Sequence, residues 1–104
     1  MQIQINTDNN IEGREELATQ VEAVVQDSLR RFSEQITRVE VHLSDENSHK
    51  SGQADKRCVM EARLEGRQPT AVTHQAATLS EAVDGAADKL TASLESTLGR
   101  LRDR

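Results

Sequence analysis

The side chains best suited to chemistry are few: Cys58 and the histidines His42, His49 and His74. Metal sites usually draw at least two donors from one closely spaced pair. No HxH, HxxxH or His-Cys spacing occurs in the chain, so the three imidazoles read as ordinary surface groups and no metal site is expected. Cys58 is the sole cysteine, which excludes an intrachain disulfide and a metal site made of cysteines. It falls on the inward face of a predicted strand, where burial raises a thiol's pKa and leaves it inert. On the outward face, the adjacent Lys56 and Arg57 would acidify it instead.

Carboxylates are more numerous, and the pairs Glu15/Glu16, Asp45/Glu46 and Asp84/Asp88 stand out. General acid–base work needs such groups in a pocket. The first pair opens a predicted helix, the second lies in a loop, and the third sits one turn apart on a helix with Lys89 beside it. None of the three is placed near a pocket by the sequence pattern. There is no glycine-rich phosphate loop and no GxSxG elbow. The expectation is a protein that is not an enzyme and takes no cofactor and no small-molecule substrate.

The cations gather at two points. Arg30-Arg31 ends the first helix, and Arg100-x-Arg102-x-Arg104 closes the chain; Lys89 stands apart within the second helix. Cations at a helix C-terminus complement the macrodipole, which is reason enough for both clusters. They can also hold phosphate, weakly, since affinity follows the number of phosphates neutralised. Against them stand Glu12, Glu15, Glu16, Glu22 and Asp27 around the first helix, and Glu81, Asp84, Asp88, Glu95 and Asp103 around the second.

These residues are positioned by elements that the periodicity makes plain. Gln2–Asn6 alternates, with Ile3 and Ile5 on one face, and Asp8-Asn9-Asn10 is a turn signal. A helix is predicted from about Arg14 to Arg31, on the stripe Leu17, Val21, Val24, Val25 and Leu29, with Gly13 as a weak N-cap. Residues 36–44 alternate again, with Val39, Val41 and Leu43 facing one way and Arg38, Glu40 and His42 the other. Asp45–Gln53 reads as a hairpin loop, 56–65 as a third strand with Cys58, Met60, Ala62 and Leu64 inward, and Gly66–Pro69 as a tight turn. A fourth strand spans Thr70 to about Ala76, with Val72 inward. Thr78-Leu79-Ser80-Glu81 is a capping box opening a helix that runs to about Arg102. Gly85, beside Ala82 and Ala86, suggests close packing of that helix on the sheet.

The order β-α-β-β-β-α predicts an α+β fold: a two-layer sandwich in which both helices cover one face of a four-stranded mixed sheet. The first two strands pair parallel through a right-handed crossover, and the rest form an antiparallel meander. The open face carries Arg38, Glu40, His42, Arg57, Glu61, Arg63 and Glu65, which alternate in sign and can pair across strands. A chain of 104 residues suits one domain, 1–104. Its 35% apolar content and single aromatic, Phe32, leave only a thin aliphatic core, which a sheet with one wet face can use. The net charge of −5 does not point to nucleic acid. With no apolar run long enough to span a membrane and no signal-peptide pattern, the reading is a cytoplasmic protein.

Several strings then add a resemblance that covers essentially the whole chain. They are Met1-Gln-Ile-Gln-Ile5, Asn9-Asn10-Ile11-Glu12, Leu29-Arg-Arg-Phe32, Ile36-Thr-Arg-Val39-Glu-Val41-His-Leu43 and, most specific, Leu79-Ser-Glu-Ala82-Val83-Asp84-Gly85-Ala86-Ala87-Asp88-Lys89-Leu90. In order and spacing they resemble the short form of the ribosome hibernation promoting factor and ribosome-associated inhibitor (protein Y) family. The resemblance implies the same β-α-β-β-β-α fold. It also implies a factor that binds the small ribosomal subunit's decoding region and modulates translation or ribosome hibernation under stress. Arg30, Arg31, Lys89, Arg100, Arg102 and Arg104 would then be the RNA-binding residues. The departure is electrostatic: Thr91–Thr97 stands where the family is rich in Lys, Arg, His and Gln. A second reading follows from that acidity: a protein-interaction module on the same fold, self-associating or binding a protein partner through the open sheet face or an edge strand.

Overall fold

Alternating sequence becomes strand where one side can be buried, and only one side of each segment here is apolar. The computed structural model describes residues 1–8, 11, 13–45 and 55–102, with side chains as far as Gly99. Its elements are β1 (Gln2–Thr7), α1 (Arg14–Ser28), a 3-10 turn (Arg30–Phe32), β2 (Ile36–Asp45), β3 (Lys56–Leu64), β4 (Thr70–Ala76) and α2 (Leu79–Arg102). The sheet order is β1-β2-β3-β4. β1 pairs parallel with β2, in the register Ile3 to Val39 and Ile5 to Val41, and the other pairings are antiparallel. This is the mixed sheet with two helices that the sequence pattern predicts.

The core lies between the sheet and the helices. Val39, Val41 and Leu43 of β2 and Cys58, Met60, Ala62 and Leu64 of β3 are buried beneath Val21 and Val25 of α1, and beneath Ala82, Val83, Ala86, Ala87, Leu90 and Leu94 of α2. The N-cap half of the capping box forms: the Thr78 hydroxyl accepts the Glu81 N–H at 3.1 Å, and the Glu81 carboxylate turns back to accept from that same hydroxyl at 3.0 Å. Gly13 caps α1 with φ at 66°, a left-handed conformation strained for any residue with a Cβ, and its carbonyl accepts the Leu17 N–H at 2.9 Å.

Three features depart from the sequence pattern. First, α1 stops at Ser28, so Arg30 and Arg31 do not form its last turn; they belong to the 3-10 turn that follows. The tighter turn lets Leu29 and Phe32 both reach the core. Second, Ile36 is buried although strict alternation would put it with Arg38. A register shift between Ile36 and Arg38 inserts Thr37 and re-aims the strand. The Thr37 hydroxyl bonds the Arg63 carbonyl at 3.1 Å across the irregularity. Third, His74 is not a surface imidazole. It shares the inward face of β4 with Val72 and Ala76, is half-buried, and lies against Gly85 of α2. The close helix–sheet approach expected at Gly85 is therefore real, and the imidazole is its cause. His49 and most of the Asp45–Gln53 loop lie outside the described residues.

Candidate functional site

The helices run side by side in the same direction, because each follows a strand of the same sense. Three contacts fix this: Leu17, Val21 and Val24 of α1 border a cleft with Ser80, Val83 and Asp84 of α2; Thr91 Oγ1 approaches the Ser28 carbonyl at 3.5 Å; and Arg31 pairs with Glu95. Both helix C-termini consequently face the same pole of the molecule. There Arg31 lines a cleft with Phe32, Glu95, Leu98 and Gly99, and the α2 backbone continues from Gly99 through Arg100 to Arg102. The parallel packing thus sends the ends of the two helices, about 70 positions apart in the chain, toward the same side of the molecule, with the α2 backbone running on past the α1 end to Arg102. Two helix dipoles present their negative ends at that pole, which favours cations there.

A further cation joins them that the sequence pattern did not single out. Arg67 lies in the β3–β4 turn and lines a neighbouring cleft with Glu34, Gln35, Leu64, Glu65 and Leu98. Nothing local marks Arg67; only the path of β3 back toward α2's C-terminus places it. Lys89 does not join the pole. Its ammonium donates to the Thr73 carbonyl on the edge strand β4 at 2.9 Å, where a lysine discourages pairing with another chain. Arg104 lies outside the described residues.

Two of the pole's arginines are held by acids. Arg30 pairs with Asp27 at 3.0 Å, and Arg31 pairs with Glu95 while its guanidinium stacks 4.9 Å from the centroid of Phe32. The side chains are largely exposed, 80% for Arg30 and 61% for Arg31, so each pair contributes only about 0–1 kcal/mol and can be exchanged for a phosphate.

The open sheet face is different. Directly opposed residues there carry like charges, Arg38 against Arg63 and Glu40 against Glu61. Neutralisation comes along the strand and on the diagonal: Glu40 takes Arg38 at 3.5 Å and Arg63 at 3.4 Å, and Glu61 takes Arg63 at 3.2 Å. The expected alternation of sign is present, and it is largely spent within the sheet.

At the far end of β2 sits a second charged group. Lys56 Nζ bridges Asp45 at 3.2 Å and Asp55 at 3.0 Å, and the Asp8 carboxylate accepts the Asp45 N–H at 3.0 Å. The hydrogen bond to Asp55 is the main cause that holds the Lys56 pKa above its ordinary value. Asp55 is buried, and its Oδ2 accepts no hydrogen bond among the described residues. Lys56→Met is therefore expected to lower stability, because it strands the buried Asp55 carboxylate. Urea melts at neutral pH measure it; Asp55→Asn in the same background should recover part of the loss.

Cys58 lies inward and fully buried, and burial pushes its thiol up to about 12. Asp84, contrary to the sequence expectation, does border a cleft, but its partners there are Gln20, Ser80 and aliphatic side chains rather than a second carboxylate. Among the described residues no three His, Cys, Asp or Glu side chains converge as metal donors, and no helix is long and apolar enough to cross a membrane.

Residues 3–102 match the family model described as sigma 54 modulation protein / S30EA ribosomal protein. The chain belongs to this family. Its company is one of ribosome-associated factors rather than enzymes. Two solved structures have the same fold. The N-terminal domain of protein Y from Thermus thermophilus aligns over 93% of this chain and 99% of its own, with a TM-score of 0.73 and 21% identity. A ribosomal subunit interface protein from Coxiella burnetii aligns over 95% of this chain and 99% of its own, with a TM-score of 0.66 and 14% identity. No curated protein shows significant sequence similarity to the chain.

Proposed function

We propose that this S30EA-family chain, whose residues 1–104 make up one domain, is a cytoplasmic ribosome-associated factor that binds the small subunit's decoding region and modulates translation or ribosome hibernation under stress. What supports the reading is the arginine side of the molecule, on a fold of this family: Arg31 and Arg67 line neighbouring clefts that share Leu98, Arg30 adjoins them, and the α2 backbone runs on from there to Arg102. The role of the pole is to accept rRNA phosphates, with Asp27 and Glu95 giving way as the phosphates arrive. Arg104 extends it in sequence. Lys89 contributes only if it leaves the Thr73 carbonyl. No step of catalysis is involved, and neither a small molecule nor a membrane is required.

Co-sedimentation with ribosomes from starved cells tests the proposal. The wild-type chain should move into the ribosomal fractions at low salt and leave them as salt rises, since each phosphate contact adds about 0.7–0.9 to the salt slope. The double variant Arg30→Glu/Arg31→Glu should bind roughly tenfold more weakly and show a shallower slope. Protection of 16S rRNA in the decoding region from hydroxyl radicals would locate the contact. Absence of the wild-type chain from ribosomal fractions at low salt would sink the proposal.

A second reading has its own observation: the helical layer away from the pole is strongly acidic. That surface suits a protein partner better than it suits RNA.

A further inference from the structure

We propose that, on the reading of the arginine side as an rRNA-binding surface, Glu95 is a built-in competitor for phosphate that occupies Arg31 and sets how tightly an RNA backbone is held.

The two acids beside the arginines are not equivalent. Asp27 meets Arg30 three positions along the same stretch of chain, and both side chains stand largely in water. Such a pair yields readily to an arriving anion. Glu95 reaches Arg31 from the other helix. Leu94 beside it is buried, and Leu98 packs against the core. One turn back, Thr91 Oγ1 approaches the Ser28 carbonyl at 3.5 Å, where α1 ends. The Glu95 carboxylate is therefore delivered to the 3-10 turn by the packing of α2.

Stability does not account for a carboxylate there. The C-terminal end of α1 is the negative end of its dipole and disfavours an anion beside it. An ion pair as exposed as Arg31–Glu95 contributes little to the fold. Glu95 is also the last carboxylate before Arg100 and Arg102, with only uncharged residues at 96–99.

What Glu95 controls is Arg31. The guanidinium lies 4.9 Å from the centroid of the Phe32 ring, which is buried, so the core fixes one face of it. Nη2 is taken by Glu95 Oε1. Both side chains line one cleft with Phe32, Leu98 and Gly99. A phosphate entering that cleft must displace the carboxylate from Nη2 and then lie beside it, where two anions repel. A lone anion gains too little from one arginine to do so. A backbone that meets several arginines at once gains enough. With the charge at position 95 removed, Arg31 stays stacked on Phe32 and open to phosphate.

Glu95→Gln keeps the shape and removes the charge. Affinity for purified small ribosomal subunits is measured for wild type, Glu95→Gln, Arg31→Gln and the double variant. Glu22→Gln makes the same charge change at an exposed position of α1. Both Arg31 and Glu95 are at least half exposed, so these variants keep the fold. Glu95→Gln should bind roughly fivefold tighter than wild type, the upper worth of one exposed pair. The gain should vanish in the Arg31→Gln background. Glu22→Gln should gain less than about twofold, because salt screens a distant charge. A gain that persists without Arg31, or that Glu22→Gln equals, would reduce the effect to general charge and overturn the proposal. Weaker binding by Glu95→Gln would overturn it too, by making Glu95 a support for Arg31. If no variant binds subunits, the ribosomal reading fails, and the competition is read from the Arg31 Nε–H NMR signal under tripolyphosphate. Glu95→Gln should then reach half-saturation at roughly a fifth of the wild-type concentration. Equal midpoints would overturn the proposal.

Discussion

Gly85→Ala is expected to destabilise the protein by about 2 kcal/mol, although intrinsic helix propensity alone would favour alanine by about 1 kcal/mol. The sign is decided by His74. A Cβ built on Gly85 would fall 2.1 Å from Cδ2, 2.3 Å from Nε2 and 2.6 Å from Cγ of that imidazole. Contact with Cγ as well as the ring's far atoms means that tipping the ring is not enough; either His74 must change rotamer or α2 must lift from β4. Lifting would disturb Ala82 and Ala86, which are buried at the same interface. His74→Ala alone should cost little more than its own packing. The double variant Gly85→Ala/His74→Ala should then be more stable than the sum of the single changes predicts, with a coupling of about 1–3 kcal/mol. Denaturant melts of the four proteins measure it. A stabilised Gly85→Ala single variant would show that the ring moves aside freely.

The same pair of residues shows what the sequence pattern could and could not reveal. Every strand and both helices were legible because the apolar supply is so thin: with one aromatic and few aliphatics, each segment has only one face it can bury. The capping box at Thr78 and the inward side of Cys58 followed from the same local rules. What escaped depends on neighbours distant in sequence. His74 has the inward parity of Val72 and Ala76, yet a histidine is polar enough to read as surface until α2 is seen to leave room for it at Gly85. Ile36 breaks alternation through a bulge that is defined only by its pairing with the far end of β3, at Leu64. The α1 end was overrun because Leu29 and Phe32 fit a helical stripe as well as a 3-10 turn.

The candidate site was legible as residues and not as a place. Arg30, Arg31 and the C-terminal arginines were visible as clusters, but only the parallel packing of α1 and α2 shows that both helices end toward the same side of the molecule. The same packing carries Lys89 away to the β4 edge and brings Arg67 in through a turn. Net charge alone does not show where the charges lie. A value of −5 averages over an uneven distribution: α1 and α2 up to Glu95 carry eight carboxylates against Arg14 and Lys89, while five of the ten arginines follow the helices at 30–31 and 100–104. A factor that meets RNA with one pole and protein with its flank would have such a distribution.

Alkaline pH is expected to unfold this protein in a way traceable to one atom, Cys58 Sγ. Burial raises the thiol from its ordinary value of 9.0 to about 12, so between those values the unfolded chain releases a proton that the folded chain keeps. An acid whose folded pKa is raised contributes nothing against stability below the unfolded value, and the penalty grows as pH rises above it. The slope is about 1.4 kcal/mol per pH unit, which accumulates to the order of 4 kcal/mol near pH 12. That is comparable to the whole stability of a marginal domain. The window is unusually uncluttered, because the chain has no tyrosine and only three lysines, Lys50, Lys56 and Lys89. Lys56, with its pKa held up chiefly by Asp55, also loses its contribution as pH rises through its folded value, so the comparison must isolate the thiol. Cys58→Ala does so: it carries a constant packing loss at every pH, but its stability should fall less steeply than wild type above pH 9. Urea melts at a series of pH values give the two slopes. Parallel slopes would mean that the thiol ionises in place, and rapid reaction of native Cys58 with a small thiol reagent at pH 8 would mean the same.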